Sequence, residues 1–288
     1  GSPTGLVTFD GTNFTSVRPN VNVEDILALA PDDVWIATRS GLQHWNGNNW
    51  RVFNATNSGI PSNIVYTVGQ DSLGRIWAGT PVGVGVYTPS NNSWAVFNRN
   101  NVLPQADLVF DVATTATGDV WLATAGGASH FDGSNWKTYT TTHGLPDSYI
   151  TSIAVDAEGR VWAGTALGLA LFRDYYPYNG TWLGGYPYFP TSGVMSIHAP
   201  ASGGVWFGLN GGSNGHYGGA LFYNGVNFTR YRAANSGIAT EIIDAITSDS
   251  DGAVWFGGLS YGPPYNTTGV LAVRSVTLHP WETKRQVL

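Results

Sequence analysis

One five-residue pattern, Val-Trp-x-Gly/Ala-Thr, recurs along the chain and limits what it can fold into. It reads Val34-Trp35-Ile36-Ala37-Thr38, Ile76-Trp77-Ala78-Gly79-Thr80, Val120-Trp121-Leu122-Ala123-Thr124 and Val161-Trp162-Ala163-Gly164-Thr165. Two looser copies follow, Val205-Trp206-Phe207-Gly208-Leu209 and Val254-Trp255-Phe256-Gly257-Gly258. Successive tryptophans are 42, 44, 41, 44 and 49 residues apart. A short unit repeated at a fixed period is one supersecondary element that buries its apolar face only against its neighbours.

Each copy has the same four parts. An alternating apolar strand comes first, such as Ile150-Thr151-Ser152-Ile153-Ala154-Val155, then a tight turn, Asp156-Ala157-Glu158-Gly159. The Trp strand follows, and Gly-Leu opens a third strand, as at Gly41 or Gly168. Asn/Asp-Gly turns, strong hairpin signals, end the third strand at Asn46-Gly47, Asp132-Gly133 and Asn224-Gly225. A fourth strand carries paired aromatics, as in Trp50-Arg51-Val52-Phe53. Four short antiparallel strands every 44 residues or so predict an all-β chain, a β-propeller of four-stranded antiparallel blades.

The string Gly144-Leu145-Pro146, Asp156-Ala157-Glu158-Gly159-Arg160-Val161-Trp162-Ala163-Gly164-Thr165 and Gly168-Leu169 resembles the two-component regulator propeller repeat, as does Asp71 to Thr80. The likeness runs over residues 5–275. It implies a periplasmic sensor-type β-propeller, an input domain that binds a ligand and signals through attached domains. WD repeats differ in needing Gly-His and Trp-Asp. Kelch blades are longer, and sialidase-type Asp boxes set Asp two residues before Gly, not three.

Six first-and-second-strand pairs meet seven third-strand segments, the extra one being Gly5-Leu6-Val7-Thr8-Phe9. Six blades is the favoured count, with residues 5–18 completing the blade begun by residues 242–258 and closing the ring. Seven is the alternative. On this reading residues 1–268 are the propeller and 269–288 a surplus strand and tail. That tail would cap an edge or contact a neighbouring subunit by self-association.

Composition narrows the function. The 288 residues contain no Cys, which excludes disulfides and thiolate chemistry. Charged residues are 11% of the chain, with a net charge of −6, and no basic stripe offers itself to nucleic acid. No apolar run is long enough for a membrane span. Asn13, Asn54, Asn91, Asn179, Asn227 and Asn266 are potential glycosylation sites.

Two insertions fall in second-to-third-strand loops, on one predicted face. They offer Asn214, His216 and Tyr217, and Tyr261 and Tyr265, as ligand-binding candidates, unless they only cover the ring seam. A third insertion gathers Tyr175, Tyr176, Tyr178, Trp182, Tyr186 and Tyr188 on the opposite face, a contact patch for carbohydrate or protein or a blade edge packed on itself. His44 and His130 share a repeat position that elsewhere is Val86 or Leu171, which suits packing. Asp32, Asp71, Asp156 and Asp249 are read as bracing turns. Glu24 and Glu241 each open a first strand, and no converging acid–base pair is evident. No metal site or cofactor is predicted. The reading is a non-catalytic recognition module outside the cytoplasm, extracellular or periplasmic, with a carbohydrate or protein ligand. The alternatives are a structural subunit of an extracellular fibre or coat and a secreted glycan hydrolase or lyase.

Overall fold

A computed structural model describes residues 5–100, 107–174, 180–184, 193–210, 218–238, 240–249, 251–259 and 270–275. The chain divides into two compact units, Gly1–Tyr139 and Thr140–Leu288. The first opens with a hairpin, β1 (Gly5–Phe9) and β2 (Phe14–Pro19). Three four-stranded sheets follow. They are β3 (Val23–Ala30), β4 (Asp33–Thr38), β5 (Gly41–Trp45) and β6 (Trp50–Phe53); β7 (Thr67–Gln70), β8 (Ile76–Thr80), β9 (Gly83–Thr88) and β10 (Ser93–Phe97); and β11 (Val109–Thr114), β12 (Val120–Thr124), β13 (Gly127–Phe131) and β14 (Trp136–Tyr139).

The second unit has two four-stranded sheets and one of three strands. They are β15 (Ile150–Val155), β16 (Val161–Thr165), β17 (Gly168–Arg173) and β18 (Thr181–Gly184); β19 (Val194–His198), β20 (Val205–Leu209), β21 (Gly219–Tyr223) and β22 (Phe228–Tyr231); and β23 (Ile242–Ser248), β24 (Ala253–Leu259) and β25 (Val270–Ser275). All strand pairings are antiparallel and sequential. Among the described residues the fold is all-β, with four antiparallel sheets in the first unit and three in the second.

The repeated Trp is the glue between sheets. Trp35 clusters with Val68 and Ala78 of the next sheet, and Trp77 with Leu122 and Val112. Trp162 does the same with Phe207 and Ile197, and Trp206 with Phe256 and Ile246. Each fully buried indole contributes roughly 2–3 kcal/mol of apolar transfer energy. The repeated Gly keeps the sheets close. A Cβ at Gly208 would come 2.4 Å from the Ile243 carbonyl oxygen of the neighbouring sheet.

The closing Thr has a local task. Thr38, Thr80, Thr124 and Thr165 donate Oγ1 to the carbonyls of Gly41, Gly83, Gly127 and Gly168 at 2.6–2.9 Å. The same hydroxyls accept the amides of Ser40, Val82, Gly126 and Leu167. A two-residue turn is thereby fastened from both sides. The Thr is replaced by Leu209 and Gly258 where the following loop is long.

Two expectations are corrected. The segment thought surplus, Val270–Ser275, pairs with β24 from Gly258↔Val270 to Ala253↔Ser275 and supplies its third strand. The N-terminal hairpin therefore does not complete that sheet; β1 and β2 form a sheet of their own. In the first full sheet Asp33, not Asp32, accepts the Trp35 indole N–H, at 3.1 Å. The pair Ala30↔Asp33 shortens that turn to Pro31-Asp32, so the carboxylate has moved onto β4.

Candidate functional site

At the one–two turns several carboxylates are occupied structurally. Asp71 Oδ2 accepts the Trp77 indole at 2.7 Å and Arg75 Nε at 2.6 Å, while Oδ1 accepts the Leu73 and Arg75 amides at 3.0 Å. Asp156 repeats this with Trp162 and Arg160, at 2.7 and 2.6 Å. Each guanidinium then lies 5.5–5.8 Å above its indole. Asp249 accepts from Trp255 at 2.9 Å, and that bond holds its carboxyl below the usual range.

In two sheets a histidine stacks on the Trp. His44 stacks on Trp35 at 4.0 Å with Nε2 2.8 Å from Asp33. His130 stacks on Trp121 at 4.2 Å with Nε2 3.5 Å from Asp119. The shared His position is thus a packing position, as its alternation with Val86 and Leu171 suggested. These groups pack against or hydrogen-bond the repeated tryptophans.

The opposite end, with the two–three turns, differs. Each first strand is entered through an equivalent residue: Glu24, Tyr66, Phe110, Thr151, Met195 or Asp244. At five of these the ladder shifts register, a bulge that turns the side chain out of the ladder. In the first unit Glu24 Oε1 accepts Nε of Arg39, in the β4–β5 turn, at 2.5 Å, and the Tyr66 and Phe110 rings are 6.2 Å apart.

Beneath them runs a polar rung. Asp25 Oδ2 accepts Thr67 Oγ1 at 3.0 Å and the Val68 amide at 2.9 Å, and Thr67 Oγ1 lies 3.4 Å from Asp111 Oδ1. Burial pushes the Asp25 carboxyl up, against the pull of those donors. The arrangement offers an ion pair, a phenol and a flat apolar ring on one side of three successive sheets, suited to holding a polar molecule with a planar or ring-shaped part.

Of the predicted ligand-binding residues, Asn214, His216, Tyr217, Tyr261 and Tyr265 lie outside the described residues. The roots of the first loop are described. The Asn210 amide donates to Gly193 at 3.0 Å, the Gly219 amide to Glu241 at 2.7 Å, and Gly218 accepts Arg230 Nη2 at 2.8 Å. Of the aromatic patch, Tyr175, Tyr176, Tyr178, Tyr186 and Tyr188 are likewise outside. Trp182 is buried, 5.3 Å from Phe172 across the β17–β18 pair, so its ring packs within the sheet. Asn13, Asn91 and Asn227 are exposed and Asn54 half-buried, while Asn179 and Asn266 are outside. Among the described residues no cluster of His, Asp and Glu could hold a metal ion, and no helix is long and apolar enough to cross a membrane. Sequence reading noted Glu24 only as opening a first strand, without a binding role, and did not single out Arg39, Tyr66 or Phe110. The available signal was the column after Val23, Val65 and Val109, which varies among Glu, Tyr and Phe while the residue before it stays Val.

Residues 59–81 and 144–166 match the two-component regulator propeller family. No curated protein sequence matches the chain. Its fold is similar to the extracellular domain of a proposed one component system, BT4673, from B. thetaiotaomicron: 16% identity over 96% of this chain and 36% of that one, TM-score 0.74. It is also similar to the extracellular domain of the hybrid two component system BT3049 from B. thetaiotaomicron, 20% identical over 93% of this chain and 36% of that one, TM-score 0.62. A catalytically inactive virginiamycin B lyase from Staphylococcus aureus, solved with quinupristin, is 17% identical over 90% of this chain and 85% of that one, TM-score 0.65. The chain therefore spans about a third of the length of the sensor domains it resembles.

Proposed function

For a chain that carries two-component regulator propeller repeats, we propose an extracytoplasmic recognition module that binds its ligand at the end bearing the two–three turns. The observation that carries this is the group Glu24, Arg39, Tyr66 and Phe110: charge and aromatic surface concentrated where the repeat stops being regular. The likeness to extracellular sensor domains supports the location and the role. Asn214, His216, Tyr217, Tyr261 and Tyr265, which lie outside the described residues, are proposed as ligand-binding residues of the second unit on their place in the sequence alone. The ligand class is a carbohydrate or a peptide, both of which combine polar groups with flat or apolar faces.

The test is binding of the purified chain to glycan and peptide arrays, followed by titration of the best hit. Arg39→Ala and Tyr66→Ala should each weaken it by about tenfold, the loss of one charged or aromatic contact. Leu73→Ala, an exposed residue of a one–two turn at the other end, should leave it unchanged. Binding indifferent to both site variants overturns the assignment. A second reading, a lyase, rests on one observation: the match to virginiamycin B lyase covers most of both chains. Incubation with quinupristin decides it: steady conversion would favour an enzyme, and an unchanged ligand would remove that reading.

A further inference from the structure

One repeated tryptophan lacks the acceptor that its counterparts have. The turns β7–β8, β15–β16, β19–β20 and β23–β24 close with the same bond. In them the amides of Gly74, Gly159, Gly203 and Gly252 donate to the carbonyls of Asp71, Asp156, Pro200 and Asp249 at 2.9–3.1 Å. Proline therefore stands in the β19–β20 turn where the other three carry aspartate. In those three the carboxylate collects the indole N–H and two turn amides. For Asp249 the donors are Trp255 Nε1 at 2.9 Å, the Asp251 amide at 3.1 Å and the Ala253 amide at 2.8 Å. The equivalent donors of the β19–β20 turn are Trp206 Nε1 and the amides of Ser202 and Gly204.

None of these three donors meets an acceptor among the described residues. Yet Trp206 is only 2% exposed, and a buried donor without a partner is costly. It lines a pocket with Pro200 and Ser202 of its own sheet and Ser248 and Val254 of the next. The remainder of the indole is enclosed by Phe222, Tyr231 and Phe256, at 4.5, 5.3 and 5.2 Å. Phe222 also excludes any side chain at Gly204, where a Cβ would come 2.5 Å from its ring. Arg75 and Arg160 therefore have no counterpart in this turn.

A carboxylate does not need that guanidinium. Asp249 has Ala253 where Asp71 and Asp156 have arginines. Its carboxyl is still held below the usual range, with the Trp255 indole as the largest cause. We propose that the β19–β20 turn binds a carboxylate group supplied by a ligand, in the position that Asp71, Asp156 and Asp249 fill from within the chain. One oxygen accepts Trp206 Nε1, and the other accepts the Ser202 and Gly204 amides. The site uses a one–two turn and shares no residue with the group around Arg39, so it stands or falls independently of that group.

Acetate is the probe, added to the isotope-labelled chain at constant ionic strength and followed by NMR. One indole N–H resonance should move downfield and saturate with a Kd of about 1–50 mM, and Trp206→Phe should remove that resonance. Pro200→Asp restores an internal carboxylate, so its Trp206 resonance should start at the shifted position and ignore acetate. Pro200→Ala adds no acceptor and should keep the acetate response. Three results overturn the proposal: no saturable indole shift, a responding resonance that persists in Trp206→Phe, or a response retained in Pro200→Asp. Should Trp206→Phe fail to fold, the two Pro200 variants decide. A short peptide with a free C-terminus identifies the source of the carboxylate. Binding tighter than that of acetate, and lost on amidation of the peptide, assigns the site to a chain end; binding no tighter assigns it to a small free acid.

Discussion

The turn aspartates show how single residues carry this fold. Asp156 is 5% exposed and serves four donors: an indole, a guanidinium and two amides. Removing it strands the Trp162 N–H, so Asp156→Ala should cost roughly 3 kcal/mol, read as a lowered urea midpoint at constant slope. Trp162→Phe, which leaves the Asp–Arg pair intact, should cost less, about 1–2 kcal/mol. This layer was legible in the sequence because Asp and Trp recur at fixed spacing. Asp33 was missed because a shortened turn moves the carboxylate along the chain while the indole stays where it was. That exchange shows only in three dimensions, where Asp33–His44 does for Trp35 what Asp71–Arg75 does for Trp77.

At the scale of the strands, first strands are linked sideways by single polar contacts. Thr114 donates to the Gln70 carbonyl at 3.0 Å, Thr151 to the Val194 carbonyl, and His198 Nε2 lies 2.9 Å from Ser248 Oγ. Burial depresses the His198 pKa below its usual value of 6.5. The unfolded chain then binds the proton more readily than the folded one. This contribution to stability is complete above about pH 6.5 and is lost as pH falls through the depressed value. Urea melts from pH 7.5 down to 5 should show the loss, and His198→Gln should flatten it. The strands and their order were readable from the 44-residue period. The partner of β24 was not, because the hairpin at residues 5–18 and the strand at 270–275 carry equivalent third-strand patterns. Local sequence does not say which of two equivalent strands reaches an edge first. The candidate site was the least legible, since its residues are the ones that depart from the repeat.

At the scale of each unit, packing runs from one sheet to the next through the repeated Trp, so stability there should be nearly one-dimensional. Gly208→Ala forces a methyl against the Ile243 carbonyl and should cost about 1–3 kcal/mol. Hydrogen exchange should then speed up in β19–β22 and β23–β25 and leave β3–β10 nearly unchanged. Uniform loss of protection would mean that the sheets open together, not in sequence.

The Thr that fastens four of the two-residue turns doubles as a permit for loop growth. Where it is present, the turn has no spare backbone group and no room for an extra residue. Where Leu209 and Gly258 replace it, nine or more residues intervene before the next strand. A foreign peptide grafted between Ala166 and Leu167 should therefore be tolerated better after Thr165→Leu than before it, judged by soluble yield and melting temperature. The scaffold thus marks, residue by residue, which of its corners are open to new binding sequences and which are closed.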